Sequence, residues 1–202
     1  MNTHSAFRVV LVFGTVTFAA QAGVFDVTIS DLLQNQTGFL AFDFLAGSPV
    51  PNNTVTVSNF ATDGTLGSVT PSGSVTGSLV PGPLTLTDSS FFNEWLQGIT
   101  YGTSISFQIT TTDKFSPGGI PDNFSFYLLD SSLNPFPTSD TVADSLFSLD
   151  LNGPGSIPQV FTSTVAQALV TPVTAVPEPS SLSLTAALLG CVLWARRLAR
   201  DL

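Results

Sequence analysis

The sequence predicts an all-β protein whose main domain is an antiparallel β-sandwich of jelly-roll or Greek-key type, on three observations. Apolar and polar residues alternate with a period of two in many short segments. Clusters of Gly, Pro, Asn and Asp separate these segments, as turns do between strands. Ser and Thr occupy most of the polar positions, which is typical of strands with one face in water. A signal helix is predicted before this domain and a short hydrophobic helix after it.

Residues 1–22 have the pattern of a secretion signal. A short basic segment is followed by an apolar run of 12 residues, from Val9 to Ala20. Ala20 and Ala22 form an A-x-A cleavage site, so the mature chain is predicted to begin at Gly23. No cysteine lies near this site, which argues against a lipoprotein anchor. We therefore expect export by the general route.

The domain that follows, residues 23–171, is strongly acidic. It holds eleven aspartates, one glutamate (Glu94) and one lysine (Lys114), and it lacks arginine, histidine and cysteine. Its charge of −11 predicts repulsion of nucleic acid and of anionic lipid. Without cysteine it has no disulfide, so its stability must come from the core. Without histidine or cysteine it lacks the groups for a Ser-His-Asp triad, a cysteine nucleophile or an ordinary zinc site, and we expect no enzyme.

Eight or nine strands are expected in this domain. Their alternating apolar positions run from Phe25 to Ile29, Leu40 to Phe44, Val55 to Val57, Val75 to Leu79, Ile105 to Ile109, Phe124 to Leu128, Phe147 to Leu151 and Phe161 to Val165. The segment from Ser90 to Gly98 breaks the alternation, because Phe92, Trp95 and Leu96 have the i, i+3, i+4 spacing of a helix face. We expect a helix of one to two turns there, or a loop, that closes one end of the sandwich.

Carboxylates are the main acid–base groups that remain in this composition. Glu94 with Asp88 is the pair that a glycan hydrolase could use, and Lys114 is the other candidate base. The favoured interpretation is structural. Asp88 then caps the turn that follows it, and Glu94 is a solvated helix residue.

Calcium is the cofactor that the composition permits, although the sequence requires none. Hard cations take carboxylate and carbonyl oxygens, and both are abundant on the expected loops. The candidate ligands are Asp113, Asp122, Asp130 and Asp150, and the densest groups add Asn134, the pair Asp140 and Asp144, and Asn152. None of these has the spacing of a calcium-binding Asp-x-Asp-x-Asp-Gly loop. Local hydrogen bonds in turns are the favoured interpretation.

Three aromatic residues are candidate stacking platforms for a carbohydrate: Trp95, Tyr101 and Tyr127. Glycan sites combine an aromatic face with polar groups for the hydroxyls. Tyr127 falls on the solvent-facing side of its predicted strand. For Trp95 the favoured interpretation is burial at the end of the core, because so large a side chain is seldom left exposed.

The chain ends in three consecutive parts. They are a linker (residues 172–181) that contains Pro177, Glu178 and Pro179, and then, within residues 182–202, an apolar run from Leu182 to Ala195 and a basic end with Arg196, Arg197 and Arg200. The apolar run of 14 residues spans about 21 Å as a helix, against about 30 Å for the hydrocarbon core of a bilayer. We therefore predict a temporary membrane anchor whose basic end resists crossing. A lasting anchor and a buried terminal helix are the alternatives.

This order of a Pro-Glu-Pro motif, an apolar helix and an arginine cluster resembles the PEP-CTERM sorting signal of Gram-negative bacteria. The resemblance covers about 27 residues, from Val176 to the end. It implies processing by an exosortase, a membrane-embedded cysteine transpeptidase that would read Pro177, Glu178 and Pro179 as its substrate. It also implies a transient stay in the inner membrane, followed by release or surface attachment linked to exopolysaccharide production.

The domain is also similar to a group of PEP-CTERM proteins. The similar segments run from Phe25 to Ile29, from Asp88 to Glu94 and from Pro121 to Phe126. No biochemical role follows from this second resemblance.

The sequence therefore predicts an exported, non-enzymatic protein with a structural or adhesive role at the cell surface or in the extracellular polymer matrix. Its expected partners are the exosortase, the exopolysaccharide or matrix proteins, and the membrane through the C-terminal helix before processing, but not nucleic acid. A carbohydrate-binding module for the exopolysaccharide is the first alternative. A carboxylate-dependent glycan hydrolase is the second.

Overall fold

The structure is a computed structural model that describes residues 23–47, 50, 52–115 and 119–173. The predicted signal peptide, with Ala20 and Ala22, lies outside the described residues. The predicted sorting residues also lie outside them, namely Pro177, Glu178, Pro179, Arg196, Arg197 and Arg200. Within the described ranges, no helix is long and apolar enough to cross a membrane.

The described residues form twelve strands, more than the eight or nine expected. They are β1 (Val24–Ser30), β2 (Thr37–Leu45), β3 (Thr54–Thr62), β4 (Thr65–Ser72), β5 (Val75–Gly77), β6 (Leu84–Thr87), β7 (Phe92–Thr100), β8 (Ile105–Thr111), β9 (Asp122–Asp130), β10 (Phe147–Leu151), β11 (Gln159–Val160) and β12 (Gln167–Pro172). Sequence alternation missed β4 because nearly all of its residues are exposed. The expected strand from Phe161 to Val165 is wrong, since these residues lie in the connection between β11 and β12.

The strands form two antiparallel sheets of six strands each. The first sheet has the order β12-β1-β8-β3-β6-β5 and the second has the order β11-β10-β9-β2-β7-β4. The pairs β1 with β8, β2 with β7 and β3 with β6 are nested, as in a long hairpin folded across both sheets. The fold is a β-sandwich, which confirms the predicted fold class at this level.

Aromatic rings fill the space between the two sheets. The ring centroid of Phe107, from the first sheet, lies 5.4 Å from those of Phe42 and Phe126, from the second. The Phe126 centroid lies 4.9 Å from that of Phe42 and 5.6 Å from that of Phe147. All four side chains are buried. Each ring belongs to the apolar phase of its strand, so the alternation of the sequence produces the core directly.

The segment from Ser90 to Gly98 is mostly strand β7, so the expected helix or loop is wrong. The buried side chains of β7 are Asn93, Trp95, Gln97 and Ile99. Two of these are amides whose hydrogen bonds are satisfied inside the sandwich. Asn93 Nδ2 donates to the carbonyl oxygen of Phe44 at 3.0 Å, and Gln97 Nε2 donates to that of Gly67 at 2.9 Å. Because polar residues occupy buried positions of β7, the sequence does not show the apolar alternation by which a strand is recognised.

The chain enters and leaves the sandwich at the same end. In the ladder between β1 and β12, Phe25 lies directly opposite Pro172. The described parts of the connections 46–53 and 112–121 also lie at this end, which we call the terminal end. The connection 131–146 lies at the opposite end, which we call the far end.

The Phe126→Ala variant should lower the free energy of unfolding by about 3–5 kcal/mol, because it leaves a cavity among four packed rings. Urea unfolding followed by fluorescence measures this loss. Phe91→Ala is the matched control. Its ring is 74% exposed, so its removal should change the free energy of unfolding by less than about 0.5 kcal/mol. Equal losses in the two variants would contradict the assigned core.

Candidate functional site

A pair of carboxylates lies on the outer face of the second sheet. Asp43 on β2 is directly opposite Glu94 on β7. Directly opposite residues of antiparallel strands have Cβ atoms about 4.5–5.5 Å apart. Burial, followed by the negative charge of Glu94, raises the pKa of Asp43 to about 7. Burial also raises the pKa of Glu94. The pair therefore holds a proton close to neutral pH.

Polar groups from β9 extend this pair across a third strand. Ser125 lies opposite Asp43 on the other side of β2. Burial is the main reason why the pKa of Tyr127 is raised, and the negative charges of Asp43 and Asp140 add to it. The side chain of Ser125 forms a hydrogen bond with Tyr127 that opposes this rise. We call Asp43, Glu94, Ser125 and Tyr127 the carboxylate cluster.

The carboxylate cluster can donate and accept hydrogen bonds at the same pH. A carboxyl group that keeps its proton near neutral pH can donate, while its charged neighbour accepts. Oδ1 of Asp43 is buried and has no hydrogen-bond partner among the described residues. Such a pair can exchange a proton or bind a hydroxyl group. The sequence places Asp43 on a wet strand face between Phe42 and Phe44, but it does not reveal the register that sets Asp43 beside Glu94.

Asp88, which the sequence offered as a possible partner of Glu94, instead accepts hydrogen bonds from the connection 46–53. Its Oδ2 accepts hydrogen bonds from the backbone nitrogens of Asn52 at 2.8 Å and Asn53 at 2.9 Å. Asp88 is buried, and Glu94 faces Asp43 instead. The structure thus gives Asp88 and Glu94 different partners, and it does not show the pairing that the glycan-hydrolase alternative would need. The interpretation of Glu94 as a helix residue is wrong, because it lies in a strand.

Asp122, a candidate calcium ligand, is fully buried and accepts hydrogen bonds from protein donors. Its Oδ1 accepts from the backbone nitrogen of Gly47 and its Oδ2 from Asn53 Nδ2, both at 2.7 Å. Asn53 Oδ1 accepts in turn from the backbone nitrogen of Lys114 at 2.8 Å. These bonds join the connections at the terminal end, which favours a structural role for Asp122.

Asp130 and Asp150, two further candidate ligands, also accept hydrogen bonds from protein donors. Asp130 Oδ1 accepts from the backbone nitrogens of Ser132 at 2.8 Å and Asn134 at 2.9 Å, and the amide groups of Asn134 lower the pKa of Asp130. Asp150 accepts from Asn123 Nδ2 on the neighbouring strand at 2.8 Å. In the part of the chain that the structure describes, no three His, Cys, Asp or Glu residues are grouped so that they could hold a metal ion. The turn interpretation fits Asp130, whereas Asp122 and Asp150 accept hydrogen bonds from residues that are distant in sequence.

The aromatic residues proposed for glycan stacking are mostly inside the protein. Trp95 is 7% exposed and Tyr101 is 2% exposed. The Tyr101 hydroxyl lies 2.8 Å from the carbonyl oxygen of Phe39 and 2.9 Å from that of Leu129, to which it can donate. Neither ring can stack on a sugar without leaving the core. Tyr127 is half-buried in the carboxylate cluster.

Two exposed rings at the terminal end were missed by the sequence analysis. Phe91 is 74% exposed and Phe115 is 70% exposed. The carbonyl oxygen of Phe91 accepts from the backbone nitrogen of Ala46 at 2.9 Å, and that of Phe115 accepts from Asn52 Nδ2 at 2.9 Å. Their backbones are thus held while the rings face outward. The chain contains seventeen phenylalanines. Most of those on predicted strands occupy core positions, so the sequence carries no signal that distinguishes Phe91 and Phe115 from buried phenylalanines.

A shallow depression lined by hydroxyl groups lies near the far end. Its volume is about 430 Å³, and its lining residues are Pro137, Thr138, Ser139, Thr162, Ser163 and Thr164. The bridge between Thr138 and Ser163 fixes its two sides. Hydroxyl groups at such a surface can exchange hydrogen bonds with the hydroxyls of a polymer.

The chain was compared with protein-family models, curated proteins and solved structures. None of the three comparisons found a match.

The Asp43→Asn variant should reduce the loss of stability that accompanies a rise in pH. The pKa of Asp43 is raised from 3.8 to about 7 in the folded protein. Its stabilising contribution is therefore complete below about pH 4 and is lost as the pH rises through about 7. One pKa unit corresponds to about 1.4 kcal/mol, so this contribution is at most about 4 kcal/mol. Urea unfolding of both proteins at pH 4.5 and pH 8 measures the difference.

Asp31→Asn is the control for this measurement, because Asp31 is exposed. It should keep the pH dependence of the wild-type protein. Glu94→Gln should lower the midpoint of the pH-dependent loss, since it removes the neighbouring negative charge. If Asp43→Asn and wild type lose the same stability between the two pH values, Asp43 does not hold a proton in the folded state.

Proposed function

We propose that this protein is exported and held at the cell surface or in the extracellular polymer matrix, where it has a structural or adhesive role without catalysis. The observation that best supports this role is the meeting of Phe25 and Pro172 at the terminal end. Because of it, the predicted signal (residues 1–22) and the predicted sorting segment (residues 172–202) are attached to the same end of the sandwich.

The proposed sorting route uses the PEP-CTERM-like tail. The helix from Leu182 to Ala195 would hold the chain in the inner membrane until an exosortase processes it at the Pro177-Glu178-Pro179 motif. Replacing Glu178 by Ala should then leave the protein in the membrane fraction at its unprocessed mass, because the motif is no longer read. Immunoblotting of membrane and extracellular fractions, with mass spectrometry of the purified protein, measures this. Asp201→Ala, outside the motif, is the control and should leave processing unchanged.

Within the sandwich class we propose the jelly-roll type. The order β1-β8-β3-β6 in the first sheet and β2-β7-β4 in the second arises from nested pairs. Such nesting is expected when one long antiparallel hairpin is rolled into two sheets. The later strands extend the edges, with β12 next to β1 and β9 next to β2.

Carbohydrate binding is the second candidate function, and the exposed rings of Phe91 and Phe115 favour it. Aromatic rings at the surface provide an apolar face for a sugar. Asn52 Nδ2 lies 2.9 Å from the carbonyl oxygen of Phe115, which places an amide group beside that ring. These residues take the place of Trp95 and Tyr101, which are buried.

Co-sedimentation with isolated bacterial exopolysaccharide tests both candidates. If the domain is a carbohydrate-binding module, residues 23–173 should pellet with the polymer, and the double variant Phe91→Ser/Phe115→Ser should bind about tenfold more weakly, since stacking on one ring contributes roughly 0.5–1.5 kcal/mol. Binding measured with calcium and then with a chelator tests the calcium candidate in the same assay.

The control is Val142→Ser, which removes an apolar side chain that is 92% exposed at the far end. It should bind like the wild-type domain. If wild type stays in solution with and without calcium, the carbohydrate-binding candidate fails, and a protein partner remains for the adhesive role. If wild type pellets and the double variant pellets equally well, the polymer contact lies elsewhere, and Thr162→Val in the hydroxyl-lined depression is the next variant.

A further inference from the structure

Gly23, the residue that the predicted cleavage would make the first of the mature chain, is already part of the sandwich. Its carbonyl oxygen accepts a hydrogen bond from the backbone nitrogen of Thr111 at 2.8 Å, which extends the pairing of β1 with β8. An ideal Cβ atom at position 23 would lie 2.7 Å from Thr111 Oγ1, 2.8 Å from Asp113 Oδ2 and 2.9 Å from the Phe25 ring. Only glycine fits this position without displacing its neighbours.

Asp113 is a buried carboxylate without a cation among the described residues. It is 2% exposed and has a φ of +42°, a conformation that non-glycine residues seldom adopt. Its carboxylate accepts hydrogen bonds from the hydroxyl of Thr111 and from the backbone of Gly23. Burial raises its pKa, and these two hydrogen bonds oppose the rise. Within the described part of the chain, no cationic side chain is among the causes of this pKa shift.

We propose that Asp113 is the binding site for the N-terminal ammonium group that signal-peptide removal creates at Gly23. Hydrolysis of the bond between Ala22 and Gly23 transfers a hydroxyl group from water to the Ala22 carbonyl carbon and leaves the Gly23 nitrogen as an amine. The second hydrogen of that water goes to the Gly23 nitrogen, and at neutral pH the amine takes up the proton that the new Ala22 carboxyl group releases. The neutral amide beside Asp113 thus becomes a cation, and processing completes a buried ion pair. The inference rests on the proposed export, because it needs the chain to start at Gly23.

The ion pair should stabilise the domain, since most of its desolvation has already occurred. The carboxylate of Asp113 is 2% exposed in the unprocessed chain, so a cation at Gly23 would offset a desolvation cost that is present before processing. Gly23 itself is only half-buried, which lets its ammonium group keep part of its hydration. An ammonium one residue earlier, at position 22, would lie almost 4 Å further along the chain and could not make the same contact.

The test compares two chains that differ only in their first residue. All twelve strands lie between residues 23 and 173, so this part of the chain can be prepared alone. One chain starts at Gly23 and the other starts at Ala22. The chain that starts at Gly23 should melt about 5 °C higher, because only its ammonium group can pair with Asp113 in the folded state. In the Asp113→Asn background, the two chains should melt at the same temperature.

Acetylation of the N-terminus gives a second readout that does not depend on the stability of the variant. With a limiting amount of acetic anhydride at pH 7, the Gly23 amine of the wild-type domain should react about tenfold more slowly than that of Asp113→Asn, because an ion pair raises the pKa of an amine. Mass spectrometry measures both rates, with Lys114 as the internal reference. Equal Tm values for the two wild-type chains, or equal acetylation rates in wild type and Asp113→Asn, would overturn the proposal.

The failure of this proposal can be distinguished from a failure of the proposed function. Mass spectrometry of the protein made by its own cells reports where the chain begins. A start other than Gly23 would contradict the predicted cleavage, and with it the physiological role of the ion pair. The melting and acetylation experiments use chains with defined ends, so they test the affinity of Asp113 for the ammonium group in either case.

Discussion

The interlocking of phenylalanine rings between the two sheets is the interaction on which the rest of this structure depends. Phe107 from the first sheet packs among Phe42, Phe126 and Phe147 from the second. The described domain contains no cysteine, so no disulfide supports the sheets, and the burial of apolar side chains must hold them together. Successive side chains of a strand point to opposite faces, so the residues next to each inward-pointing ring lie on the outer face. Most polar side chains therefore lie on the outer faces and at the two ends, and the buried amides Asn93 and Gln97 are exceptions whose hydrogen bonds are satisfied inside the sandwich.

The shortage of cations determines how the carboxylates are accommodated. Eleven aspartates and one glutamate share the domain with Lys114 as its one basic side chain, so ion pairs cannot balance their charge. The carboxylates instead accept hydrogen bonds from backbone and amide donors, as Asp122 does from Gly47 and Asn53. Where such donors are lacking, as at Asp43, burial raises the pKa and the proton is retained. Structural hydrogen bonding and proton retention are thus the two ways in which this domain accommodates carboxylates without cationic partners.

Apolar alternation predicted the strands whose buried side chains are hydrophobic, and it failed where buried positions are polar. The strand Ile105–Thr111 follows the simple pattern and was predicted, whereas Asn93 and Gln97 lie inside the sandwich and gave β7 the spacing of a helix. The carboxylate cluster could not be predicted in full. Its pairing of Asp43 with Glu94 depends on the register of two strands that are distant in sequence, and register is set by the packing of the whole sheet.

The positions of the two ends of the domain determine which strand pairings would bear a force applied through the proposed tether. Strand β12 is an edge strand that pairs only with β1, and the rung nearest the proposed tether joins Pro172 to Phe25. A pull on the tail would therefore act first on the start of β1, two residues from Gly23. An ion pair between Gly23 and Asp113 would secure this start to the residues that follow β8, so the load would pass from an edge strand into the interior of the first sheet. The proposed removal of the signal peptide would then strengthen the end to which the proposed tether is attached.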